Sequence, residues 1–116
     1  MRDFKQLKIW QNGFKIAVRS FHLVKNFPNE EKYGLSSQIT RSAVSIPSNI
    51  AEGSSRTSKK DYSRFIEIAL GSTFELETQL LIAQAVSYGN EDLIVDILKS
   101  VDEEQKMLMS FMSKLQ

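Results

Sequence analysis

The sequence predicts an all-α fold, an antiparallel up-down four-helix bundle whose second helix is kinked at Pro47. Three observations carry that expectation. Apolar residues recur at alternating spacings of three and four along most of the chain, as in helices that bury one stripe. Proline occurs only at positions 28 and 47 and glycine only at 13, 34, 53, 71 and 89, so long uninterrupted helices are allowed. The connections between periodic segments are short, which makes successive helices antiparallel neighbours. The 116 residues fit one domain, spanning 1–116, with enough chain for one core.

The first helix is expected from about Lys5 to Asn26, with Leu7, Trp10, Phe14, Ala17, Phe21 and Val24 as its core stripe. Phe27-Pro28-Asn29 ends it. A short turn through Gly34 leads to the second helix, Leu35 to Ser54, with the stripe Leu35, Ile39, Ala43, Ile46 and Ile50. Pro47 lies inside it, cannot donate to the carbonyl of Ala43, and predicts a kink. Ser58 is a good N-cap for the third helix, with Asp61 three residues on as in a capping box. Its stripe is Tyr62, Ile66, Ala69, Thr73, Leu76, Leu80 and Ala83; it is expected to reach Tyr88, with Gly89 as C-cap. Asn90 caps the fourth helix, whose apolar face is Leu93, Ile94, Leu98, Val101, Leu108, Met112 and Leu115. No strand pattern, repeat or low-complexity segment competes.

Composition narrows the function classes. Without cysteine there are no disulfides, thiolate metal ligands or cysteine nucleophiles. The lone His22 reads as solvated on a polar helix face, and one histidine without cysteine makes no zinc or haem set. No run of about 18 apolar residues would span a membrane. Met1 to Gln6 has no apolar core of signal-peptide length, so a cytoplasmic location is expected. Net charge is +1, but it is graded: +5 over residues 1–27, 0 over 28–57, −1 over 58–89 and −3 over 90–116. Neither a phosphate-cradling glycine loop nor a metal-binding Glu-x-x-His motif is present. No cofactor, small-molecule substrate or catalytic residue is expected.

What the core stripes leave over suggests association. Ile9, Ile16 and Leu23 recur every seven residues away from Trp10 and Phe14, and Leu70, Phe74 and Leu81 lie away from the stripe through Ala69 and Leu76. Helices apolar on most of their circumference are buried on most of it, so these residues are expected at a subunit interface. The second helix is rich in small polar residues, among which Arg41, Asn49 and Glu52 are expected in an inter-helix or inter-subunit polar network. Lys5, Lys8, Lys15 and Arg19 fall within an arc of about 80° at helical spacing, a strip able to meet phosphates. Arg56, Lys59, Lys60 and Arg64 form a second basic cluster where the third helix starts.

The run Ser37-Gln38-Ile39-Thr40-Arg41-Ser42-Ala43-Val44-Ser45-Ile46-Pro47-Ser48-Asn49-Ile50-Ala51-Glu52-Gly53 resembles the signature of the 23S rRNA-intervening-sequence proteins, a bacterial four-helix bundle family. Leu7-x-x-Trp10-Gln11, Tyr33-Gly34-Leu35, Arg56-Thr57-Ser58-Lys59-Lys60-Asp61-Tyr62 and Ala69-x-Gly71-Ser72-x-x-Glu75-Leu76-x-x-Gln79-Leu80 follow in family order. Leu70 departs from the pattern. The resemblance implies a homopentameric barrel of bundles. It also implies kinship with the accessory variability determinant proteins of diversity-generating retroelements, which bind nucleic acid. Those relatives are strongly basic, and this chain is not.

The expectation is a non-enzymatic oligomeric scaffold, a homopentamer, with RNA or an RNA-bound protein as candidate partner. The alternatives are a purely structural protein–protein module and, behind it, an enzyme with an open polar site at Arg41, Asn49 and Glu52.

Overall fold

The computed structural model describes residues 3–116; Met1 and Arg2, counted in the basic N-terminal segment, lie outside the described residues. Among the described residues there are four α-helices: α1 Lys8–Val24, α2 Leu35–Ser54, α3 Lys59–Ala85 and α4 Glu91–Lys114. Among the described residues there is no strand. Short 3-10 turns at Phe4–Gln6 and Asn29–Glu31 precede α1 and α2.

Helix termini follow local chemistry. Asp3 accepts a hydrogen bond from the Lys5 amide and holds Phe4–Gln6 as a separate turn, and extended Leu7 breaks the chain before α1. That is why the first helix starts at Lys8 and not Lys5. Ser58 Oγ accepts from the Asp61 amide at 3.1 Å, and Asn90 Oδ1 from the Leu93 amide at 2.9 Å, so both expected N-caps are made. The end of α3 differs. The Tyr88 amide donates to the Ala83 carbonyl and the Ser87 amide to that of Gln84, a Schellman closure with Ser87, at φ 62°, in the left-handed position. Gly89, also at positive φ, lies one loop residue beyond; a Cβ there would stand 2.7 Å from the Phe27 ring.

Contacts between helices run in the cyclic order α1–α2–α3–α4–α1, with α1 diagonal to α3 and α2 to α4. Named contacts fix direction. Gln84 bonds Glu91 while Gln105 bonds Glu77, so α3 and α4 are antiparallel. Ser45 bonds Ser72 while Gly53 meets Tyr62 and Phe65, which makes α2 and α3 antiparallel too. Extents of 43 × 23 × 20 Å describe an elongated bundle. α2 continues as one helix through Pro47, which is buried on the side of Gly13.

The core is Ile9, Ile16, Leu23, Ile39, Ala43, Ile46, Ile50, Tyr62, Ile66, Ala69, Leu76, Leu80, Ala83, Ile94, Ile97, Val101 and Leu108, with Ala17 and Phe27 beside them. The stripes expected for α2 and α3 lie inward, Leu35 only partly buried. In α1 the inward face is turned: of the expected stripe Ala17 is buried and Leu7, Trp10 and Val24 are partly buried against the core, but its two phenylalanines point outward. Ile9, Ile16 and Leu23 are 4%, 0% and 0% exposed, whereas Phe14 and Phe21 are each 50% exposed. The reason is size. With Gly13 and Ser20 counted, Ile9-Gly13-Ile16-Ser20-Leu23 is itself a 4, 3, 4, 3 stripe, and its two smallest members let α2 and α4 approach closely. Ser20 satisfies its buried hydroxyl on the Ile16 carbonyl at 2.8 Å.

Candidate assembly surface and buried polar centre

The turned inward face of α1 relocates the expected interface. Ile9, Ile16 and Leu23 are core residues of the subunit. Leu70 packs partly buried against the core, while Phe74 and Leu81, each 47% exposed, remain on the surface. The outward apolar residues of α1 are instead Phe14, Val18 and Phe21; those of α3 are Ile68, Phe74, Leu81 and Ile82, with Val86 at its C-cap. Because α1 and α3 are diagonal, the two surfaces point in opposite directions from the bundle axis.

The polar residues of α2 do not converge. Asn49 Nδ2 donates to the Ser45 carbonyl and to Ser45 Oγ, which bonds Ser72 Oγ of α3 at 2.8 Å. Glu52 instead forms an ion pair of 2.7 Å with Arg56, and that guanidinium lies 4.7 Å from the centroid of the Phe65 ring. Arg41 is exposed two helical turns from Asn49. The expected Arg41–Asn49–Glu52 network therefore separates into a Ser45–Asn49–Ser72 bridge, a surface pair and a solvent-facing arginine, because Arg41 stands about 12 Å along the helix axis from Asn49 and Glu52 pairs with Arg56.

The basic residues are placed as follows. Lys8 and Lys15 line a groove of about 400 Å³ between α1 and α4 with Gln11, Asn12, Glu103 and Met107, so acidic α4 stands beside the strip. Arg19 is half-buried on the same helix, and Lys5 lies outside α1 in the preceding turn. Lys59, Lys60 and Arg64 border a second groove with Ser63, Glu67, Leu115 and Gln116. His22 is exposed.

A buried polar centre was absent from the sequence reading. Glu104 of α4 is 0% exposed. Asn12 Nδ2 donates to Glu104 Oε1 at 3.1 Å and to the Ser100 carbonyl at 3.0 Å, tying α1 to α4. Glu104 Oε2 has no hydrogen-bond partner and sits against Gly13, where a Cβ would stand 3.1 Å from it. Burial pushes the Glu104 carboxyl up to about 8; the Asn12 hydrogen bond opposes this and the neighbouring Glu103 charge adds to it. At neutral pH the group is mostly protonated. The signal was legible: Ile94, Ile97, Val101, Glu104 and Leu108 are spaced 3, 4, 3, 4. Among the described residues, no group of metal-ligating side chains gathers and no helix is long and apolar enough to cross a membrane.

The sequence pattern of the 23S rRNA-intervening sequence proteins matches residues 5–110. The chain belongs to that family. Among solved structures it is similar to a protein of unknown function from the S23 ribosomal protein family of Bacteroides thetaiotaomicron. That protein is 26% identical, and the match covers 90% of this chain and 97% of that one at a TM-score of 0.80. Comparison with curated proteins gives no match. The two structures share this bundle at low sequence identity, and Ser37 to Gly53 lie on α2.

Proposed function

We propose that the chain is a non-enzymatic scaffold subunit that works by joining copies of itself. The observation that carries this reading is the pair of half-exposed apolar surfaces on diagonal helices, Phe14, Val18 and Phe21 on α1 and Ile68, Phe74, Leu81 and Ile82 on α3 with Val86 at its C-cap. Large side chains gathered on one exposed face mark an interaction surface. Two different patches on opposite sides join head to tail, and such contacts close into rings; the family resemblance implies five copies. Absence of cysteine supports a cytoplasmic setting. Light scattering on the full chain tests the reading: a mass of several 13.2 kDa subunits is expected, and a monomer overturns it. Phe21→Asp and Leu81→Asp should each dissolve the assembly with helical content retained, since neither side chain is in the core.

A second reading, RNA as partner, is favoured by Lys59, Lys60 and Arg64 sharing one groove. It expects weak binding that falls with salt. Reversing those three charges should abolish it, while reversing Lys8 and Lys15, beside Glu103, should change it less. Equal affinity for all variants removes these residues from the interface.

A further inference from the structure

Four of the five glycines have a reason inside the subunit. At Gly13, Gly34, Gly53 and Gly89 another atom stands within 3.1 Å of the position a Cβ would take. Gly71 differs. Nothing lies within 4 Å of that position, and the residue is exposed near the middle of α3. A glycine inside an exposed helix destabilises it relative to alanine, and no contact within the subunit compensates.

The surroundings of Gly71 form a seat. At helical spacing its neighbours are Glu67 and Ile68 one turn before, and Phe74 and Glu75 one turn after. All four are exposed. The missing side chain leaves a depression between two apolar and two carboxylate flanks, the shape into which a knob from another helix fits. The charges select the occupant. Past Arg64, residues 65–85 of α3 carry Glu67, Glu75 and Glu77 and no base, whereas α1 carries Lys8, Lys15 and Arg19 and no acid. α1 also holds the exposed aromatic ridge, and its Phe14 lies near the middle of its helix as Gly71 does of α3.

We infer that Gly71 is the seat for Phe14 of a second copy, with Lys15 and its neighbours on α1 facing Glu67 and Glu75. The inference rests on the assembly reading and adds its register. The contact is heterologous: each subunit offers Phe14 on one side and Gly71 on the other.

The cysteine-free sequence supplies a clean test. A chain carrying both Phe14→Cys and Gly71→Cys is expected to oxidise into a ladder of covalently joined subunits on a denaturing gel. A link within one subunit is excluded, because α1 and α3 are diagonal across a bundle whose shorter extents are 23 and 20 Å, and a disulfide needs Cα atoms within about 7 Å. Each single variant should stay unlinked. Linkage by Gly71→Cys alone would mean a two-fold contact and overturn the inference. An oligomer by light scattering with no ladder would overturn the register while leaving assembly standing; a monomeric wild-type chain would overturn both. Gly71→Leu is the second arm. It should raise the melting temperature of the isolated subunit and abolish assembly, whereas unchanged assembly would show that nothing occupies the seat.

Discussion

Gly13 and Gly71 sit in the middle of diagonal helices and look alike in the sequence, yet they face opposite environments. Gly13 is buried against Glu104, Ile46 and Pro47, so that α1, α2 and α4 meet over it. Gly71 faces solvent with open space above it. A mid-helix glycine costs about 1 kcal/mol relative to alanine. At Gly13 that cost is offset inside the subunit by close packing, whereas at Gly71 any offset must come from outside.

The largest expected effect concerns the acid under Gly13. A carboxyl held at about 8 in the folded chain, against 4.5 otherwise, binds more protons folded than unfolded between those values. Its contribution is fully present below about pH 4.5 and is lost as pH rises through about 8, at up to about 1.4 kcal/mol per pH unit. Urea titrations from pH 5 to 8.5 should show the wild type losing on the order of a few kcal/mol relative to Glu104→Gln. Parallel profiles would sink the assignment of a neutral buried acid. Next in size is Gly13→Ala. Its methyl would meet Glu104 Oε2 and Ile46 Cγ2 at 3.1 Å, an overpacking worth about 1–3 kcal/mol of lost stability. Glu104→Ala in the same chain should return part of it; strict additivity of the two would mean that they do not share a site. The smallest effect has the opposite sign. Gly71→Ala should stabilise the subunit by about 0.5–1 kcal/mol when denatured at concentrations too low for assembly. A loss of stability there would show that Gly71 has an internal role and erase the contrast with Gly13.

The sequence made the architecture legible because four helices, two side-chain N-caps and two of the inner stripes depend on local spacing. It failed where two equally periodic stripes compete on one helix. In α1, large aromatics on one stripe outweighed isoleucine, glycine and serine on the other. Packing reversed the order, since a close helix crossing admits Gly13 and Ser20 more readily than Phe14 and Phe21. Glu104 escapes a stripe drawn through apolar residues alone, although its position continues the Ile94–Leu108 spacing. At the C-terminus of α3, glycine drew the prediction to Gly89, while the left-handed residue that ends the helix is Ser87. Lys8, Lys15 and Arg19 lie on α1 as expected and Lys5 lies in the turn before it, but no single-helix periodicity could show that Glu103 of α4 would stand beside Lys8 and Lys15.

The Asn12–Glu104 bond joins the first long helix to the last. During synthesis the inner face of α1 therefore waits through most of the chain before its final partner arrives. Until α4 emerges, the part of the inner face of α1 that α4 covers stays open at the same time as Phe14 and Phe21, and the helix is apolar toward solvent on both sides. A nascent chain that met another copy at that stage could join by the wrong face. Completion of α4 removes the ambiguity, because closing over Gly13 withdraws one face and leaves Phe14, Val18 and Phe21 as the large apolar residues that α1 turns to solvent.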